Sequence, residues 1–402
     1  MTYTVNSFII NTVAITYTVN ERGLYFMGVR NRVKIKLLQP KKDTLYPSRI
    51  LDNDGVNSLN MNDVRYPQFP VYYDKLLSNF WRPEDVKMNK DNLDYKAAPQ
   101  NIKEAYKKGF GNLTAIDVVQ TRLARILSLS ITDPSINLAY AVVAQQEAVH
   151  TQSYSYAILD KLSRLEQNEM LRSAVADPVA QDRNSLVVKV LEEVEDAFKL
   201  YILKEMSVEE YAKYLAKGLV AMSVLEGINF YSTFMMFYYI QHRWGILNGS
   251  VSIVRYINKD EFIHTYLNGH THRALLTDYK LSEKEEKEHI EWSLNFIREN
   301  VKREIAYGLD LFTTINVRPS EIELYIYWLG NVRAQALGLP IPFPDKPAIV
   351  SENPIPWMKA FDDRRLDAGQ KTDFFEATNT QYEKANAKNT EIKKEDFSKL
   401  KF

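Results

Sequence analysis

Apolar residues recur at helical spacing from about Ala97 onward. The period is sustained through 102–129, 136–165, 188–203, 207–242, 250–279, 283–307 and 320–336, stretches rich in Ala, Leu, Glu and Lys. Their breaks fall at Asp133-Pro134 and Asn248-Gly249, where helix starts and turns are expected. Long helices without sustained heptads predict a large all-α bundle rather than a coiled coil. Residues 1–45 read differently. TYTVN occurs at 2–6 and again at 16–20, and 33–38 alternates basic with apolar side chains, which predicts short strands, among them a hairpin. Past Gly338 the chain turns proline-rich, and from Asp367 it is polar. The expected organisation is an N-terminal extension over 1–45, a helical domain over 46–345 and an extended C-terminal tail over 346–402 that buries little.

Composition narrows the chemistry. Fifty-one basic residues face 51 acidic ones, which argues against a general nucleic-acid binder. There is no cysteine in 402 residues, so disulfides, zinc–thiolate sites, iron–sulfur clusters and a thiol nucleophile are excluded. Redox chemistry would need a metal held by oxygen and nitrogen, an organic cofactor, or aromatic side chains. The run 218–240 is nearly as apolar as a membrane span but contains Glu226 and Asn229. A carboxylate at mid-bilayer costs about 3 kcal/mol even on lenient scales. A helix buried on all sides, with one polar group aimed at a partner, is the better reading. The N-terminus lacks a basic region ahead of an apolar core, so no secretory signal is expected. The expected setting is soluble and cytoplasmic.

Six histidines occur, at 150, 242, 264, 270, 272 and 289, and three follow a glutamate by one helical turn. Glu286 and His289 lie in the charge run EKEEKEHIEW, which reads as a solvated face. Glu147 with His150, and Glu261 with His264, lie instead in largely apolar helical runs. Residues three apart share a helix face, separated by about 4.5 Å of rise, so each pair can reach one metal. Either alone could be a satisfied core histidine. A carboxylate-bridged di-metal bundle needs two such pairs and a lone carboxylate from each of two other helices. Glu226 and Asp117 are the candidates, the latter also readable as an exposed helix acid. Four carboxylates and two imidazoles suit iron or manganese.

With these motifs in place, the chain resembles the small subunit of class I ribonucleotide reductase, from about Tyr46 to the C-terminus. The resemblance rests on Phe80-Trp81-Arg82-Pro83-Glu84, Asp117-Val-Val-Gln120, Glu147-x-x-His150-x-x-x-Tyr154, Glu226-Gly227-Ile228-x-Phe230-Tyr231, Asp260-Glu261-x-x-His264 and Asn353-Pro-Ile-Pro-Trp357. It implies a ferritin-like bundle whose site reacts with dioxygen, and a homodimer that serves a large catalytic subunit in making deoxyribonucleotides. It assigns Asp117, Glu147 and His150 to one metal, and Glu226, Glu261 and His264 to the other. Tyr154 matches the radical tyrosine, and its place one turn beyond His150 on the same helix face agrees. Phe230 and Phe234 match the apolar shell around the radical. Trp81, Asp260 and His150 match a relay from the metals to the surface, continued by Tyr382 and Glu376 in the tail. The last residues, with Phe397, Leu400 and Phe402, resemble a peptide that docks on the large subunit. Tyr154 sets the chain apart from the branch that lacks a radical tyrosine and uses a manganese–iron pair. The FWRPED run and the tail look closer to di-iron class Ia enzymes, including phage ones, than to di-manganese class Ib. Two iron ions are therefore expected, with manganese as the other possibility.

Two rivals stay open on sequence alone. A di-metal oxidase or hydroxylase would share both Glu-x-x-His pairs without needing Trp81 or Tyr382. A metal store or helical scaffold would need neither the length nor the tail.

Overall fold

The structure, a computed structural model, describes residues 9–10, 13–14, 17–20, 23–26, 49–51, 58–313, 315–350 and 352–361. Two short antiparallel hairpins come first. β1 (Ile9–Ile10) pairs with β2 (Val13–Ala14), and β3 (Tyr17–Asn20) pairs with β4 (Gly23–Phe26) in the register Tyr17↔Phe26. The second copy of TYTVN thus supplies a strand. The first copy and the alternating 33–38 stretch lie outside the described residues.

The helices follow in chain order. They are α1 (Gln68–Ser78), α2 (Asn89–Ala97), α3 (Gln100–Ser130), α4 (Pro134–Ile158), α5 (Arg164–Ala176), α6 (Pro178–Ile202) and α7 (Val208–Val224). After a π-helical turn over Leu225–Asn229 come α8 (Tyr231–Trp244), α9 (Asn248–Asp278), α10 (Glu283–Phe312) and α11 (Pro319–Leu337). Short oxygen-bearing side chains and proline set several starts. Asp133 accepts from the amides of Ser135 and Ile136 ahead of Pro134, and Asp177 accepts from Val179 ahead of Pro178. Ser282 and Glu285 close a reciprocal capping box at α10. Gly338, at φ 78, lets α11 stop in the left-handed conformation.

The all-α expectation holds, with three helices the apolar period did not reveal. α1 and α2 are short. α5 is held by the Ser163–Glu166 capping box and buries only Met170, so it carries no apolar stripe for the period to detect. The predicted 136–165 helix accordingly stops at Ile158, and the predicted 207–242 helix is interrupted by the π-turn.

α3 packs along α4, α7 lies between α6 and α9, and α10 packs on α11. The stretch Val208–Trp244 is long and apolar enough to cross a membrane, but its most apolar window is wholly buried within the bundle. It is a core helix, and it carries Glu226 into the centre.

Candidate metal centre

Four helical segments deliver six donors to one buried locus. α3 brings Asp117, α4 brings Glu147 and His150, the π-turn brings Glu226, and α9 brings Glu261 and His264; all six are fully buried. Ligand atoms of Asp117, Glu147 and His150 lie within 4.8 Å of one another, as do those of Glu147, Glu226, Glu261 and His264. Glu147 belongs to both groups. Glu261 also spans them, with one oxygen 3.2 Å from His150 Nδ1 and the other 3.2 Å from His264 Nδ1. Glu147 and Glu261 therefore each face both halves of the three-and-three division that the resemblance implies.

The donors fit a pair of cations. Both oxygens of Asp117 and of Glu147, Nδ1 of His150 and Oε1 of Glu261 are buried without a hydrogen-bond partner. Buried polar atoms left this way are costly unless something else satisfies them, and hard oxygen donors with imidazole suit iron or manganese. Burial, reinforced by the charge of Glu147, raises Asp117 well above the usual carboxylate range; burial and Glu261 do the same to Glu226. Burial also opposes ionisation of Glu147, but His150 and His264 outweigh it and hold this carboxylate at about 2.

Outer groups fix how the inner ones point. Nε2 of His150 donates to Asp260 Oδ2 at 3.1 Å, and Nε2 of His264 donates to Gln146 Oε1 at 2.9 Å, so both Nδ1 atoms face the carboxylates. Gln120 and Asn268 donate to the two oxygens of Glu226 at 2.8 and 2.7 Å. Asp260 collects donors from Trp81 Nε1 (2.8 Å), Gln146 Nε2 (2.9 Å) and Asn79 as well. Trp81 also stacks at 6.2 Å on His150, which completes an unbroken line from the metal locus outward.

Tyr154 is fully buried, one turn beyond His150, and its hydroxyl has no hydrogen-bond partner. Burial, then the charge of Asp117, pushes the phenol well above its usual range. Its ring packs at 5.9 Å on Phe110, which packs at 4.5 Å on Phe237. Phe230 and Phe234 are fully buried and pack on each other at 5.8 Å. The charge run around Glu286 is a solvated face only in part. Glu286 is exposed, whereas His289 turns inward with Nε2 at 2.9 Å from Nε2 of His272. Tyr382, Glu376, Phe397, Leu400 and Phe402 lie outside the described residues.

Sequence reasoning missed Gln146, Asn268, Asn79 and Phe110 as site residues, and gave Gln120 no role. A signal existed for two of them: Gln120 and Asn268 stand one turn beyond Asp117 and His264 on the same faces.

A family model described as "Ribonucleotide reductase, small chain" matches residues 58–354. The chain belongs to the ribonucleotide reductase small-chain family. It is 31% identical over 342 residues to the ribonucleoside-diphosphate reductase subunit beta of Halalkalibacterium halodurans, covering 85% of this chain and 93% of that one. The corresponding subunit of Treponema pallidum is 31% identical over 349 residues, with the same coverage. The ribonucleotide reductase R2 subunit of Clostridium botulinum shares the fold, with a TM-score of 0.70 at 24% identity over 81% of this chain and 98% of that one. As a small chain of ribonucleotide reductase, the protein is the radical-generating part of an oxidoreductase and has a di-metal site for iron or manganese. It works with a large subunit, and the family is dimeric. The oxidase, hydroxylase and storage readings fall away.

Proposed function

We propose that Asp117, Glu147, His150, Glu226, Glu261 and His264 would hold two iron ions, and that Tyr154 carries the stable radical. The single observation that carries this reading is the continuity of the locus. The buried Tyr154 hydroxyl lies under the charge of Asp117, and Asp260 ties His150 to Trp81 on the other side. Once bound, the metal pair supplies the oxidising power, drawn from dioxygen, that removes one electron from the phenol. The protein's residues do the rest. Tyr154 gives up its electron together with the hydroxyl proton, for which Asp117 is the facing base. Phe110, Phe230, Phe234 and Phe237 form an apolar lining that excludes water and reductants. Asp260 orients His150 and accepts the Trp81 N–H, so that this indole can lose an electron without stranding a proton in a dry interior.

From Trp81 the path continues through Glu376 and Tyr382 in the tail to the large subunit, where ribonucleotides are reduced to deoxyribonucleotides. Phe397, Leu400 and Phe402 anchor that tail, and the enzyme works in the cytoplasm. Iron is preferred to manganese because the FWRPED run and the tail resemble the di-iron class. The test is reconstitution of the metal-free protein with ferrous iron and oxygen. Two irons per chain, a tyrosyl signal in electron paramagnetic resonance and turnover with the large subunit are expected. Two bound irons without a radical would overturn the assignment of Tyr154.

A further inference from the structure

Two buried ionisable side chains outside the metal locus contact the π-turn that carries Glu226 and the residues just after it. A π-turn inserts one residue into an α-helix, so backbone groups around it fall out of the regular ladder and need partners elsewhere. Arg333 of α11, with no exposed surface, meets the middle of the turn. Its Nε donates to the carbonyl of Gly227 at 3.1 Å, and its Nη2 donates to the Tyr231 hydroxyl at 2.7 Å. Gly227 makes this approach possible, because a Cβ there would lie 2.5 Å from Arg333 Nε and 2.7 Å from its Cδ. Glu304 of α10, equally buried, meets the far end, where Oε1 accepts the backbone N–H of Ser232 at 3.0 Å. Arg183 stands 3.7 Å from the other Glu304 oxygen and lies over the Tyr307 ring at 3.8 Å.

Burying charge costs several kcal/mol per ion before compensation, and apolar side chains of similar size would often be at least as stable. Here both side chains are directed at backbone groups in the middle and just past the C-terminal end of one irregular turn. We propose that Arg333 and Glu304 are positioning residues that hold this segment in its π form, and thereby hold Glu226 in register with the metal site. Reversion to a continuous α-helix would remove one residue from the turn and rotate the segment by about 100°, turning Glu226 away from Gln120, Asn268 and Glu147. The division of labour is then clear: Gln120 and Asn268 orient the carboxylate, and the clamp sets the backbone beneath it. The inference rests on the reading of Glu226 as a metal ligand.

The test titrates metal-free, full-length protein with ferrous iron under anaerobic conditions, or with Mn(II), and follows hydrogen exchange of the peptide spanning 225–232. Arg333→Met and Gly227→Ala should unfold cooperatively and bind one ion as the unmodified protein does. They should bind the second at least about 10-fold more weakly, the scale of losing an outer-shell partner, with faster exchange across the peptide. Glu304→Leu should behave likewise, whereas Glu304→Gln keeps an acceptor for the Ser232 amide and should retain both ions. Glu226→Ala is the control. If it loses the second ion while Arg333→Met, Gly227→Ala and Glu304→Leu keep both at full affinity, the clamp is refuted and the ligand assignment stands. If Glu226→Ala itself keeps both ions, the ligand assignment falls and the inference with it. If any of the three clamp variants does not fold, the remaining ones and the Gln–Leu contrast at Glu304 decide the matter.

Discussion

Gln146 accepts a hydrogen bond from Nε2 of His264 at 2.9 Å, and this one contact fixes which imidazole nitrogen faces the metal locus. The other end of the same amide donates to Asp260, so Gln146 is locked in one orientation. Gln146→Leu removes both bonds with little change in volume. Metal affinity should fall about 10- to 100-fold, as read by competition with a chelator. Unchanged affinity would mean that another group sets the tautomer.

Trp81 should matter for using the radical and not for making the site. Trp81→Phe keeps an aromatic ring against His150 but loses the N–H that Asp260 accepts. Two metals per chain and the tyrosyl signal should persist, while turnover with the large subunit falls on the order of 100-fold or more, the usual scale for losing a proton-transfer group. Turnover within a few-fold of the unmodified enzyme would remove Trp81 from the path.

Tyr154→Phe makes an opposite pair of expectations. The hydroxyl is buried facing Asp117 without a hydrogen bond of good geometry, so deleting it removes little. Stability should be unchanged or higher by about 1 kcal/mol, metal content should stay at two, and the radical signal should vanish. A persistent tyrosyl spectrum would locate the radical on another of the 25 tyrosines.

Glu304 gives the metal-free protein a specific pH dependence. Burial raises its carboxyl from the ordinary 4.5 to about 7, despite the Arg183 guanidinium beside it. The folded state therefore holds this proton more tightly than the unfolded chain does. The resulting stabilisation is complete below about pH 4.5 and is lost as pH rises through about 7. At about 1.4 kcal/mol per unit, the unmodified protein should lose on the order of 2–3 kcal/mol relative to Glu304→Gln between pH 4.5 and pH 8. Denaturant midpoints compared across that range check it, and a difference independent of pH would contradict it.

Removing residues 396–402 tests the tail. The deletion should leave metal content and the tyrosyl signal intact while abolishing association with the large subunit, measured by analytical ultracentrifugation. Tyr382→Phe should preserve association and radical and eliminate ribonucleotide reduction. Full activity for Tyr382→Phe would exclude it from the relay.

What the sequence made legible follows from how each feature is encoded. Helix α9 and both Glu-x-x-His pairs were readable because a regular period repeats one face every turn, and ionisable residues stand out in apolar runs. Glu226 was conspicuous for the same reason. The π-turn beneath it was not, since one inserted residue perturbs the apolar period too little to register in a helix that is buried on every side. Gln146 was equally hidden: its role depends on α4 and α9 lying side by side, and a neutral amide beside Glu147 carries no charge anomaly. The inward turn of His289 escaped because its neighbours in sequence are solvated while its partner, His272, comes from the preceding helix.

The buried apolar core of the Val208–Trp244 segment also shapes how the chain is made. Its neighbours α9, α10 and α11 are all encoded downstream. A ribosome therefore releases this greasy stretch before most of its covering exists. Until residues near 337 have emerged, the nascent chain presents a surface suited to chaperones, to membranes and to other copies of itself. The last helices of the bundle thus end a period of vulnerability, and a truncated product that stops before α10 leaves the stretch that houses Glu226 as its principal aggregation hazard.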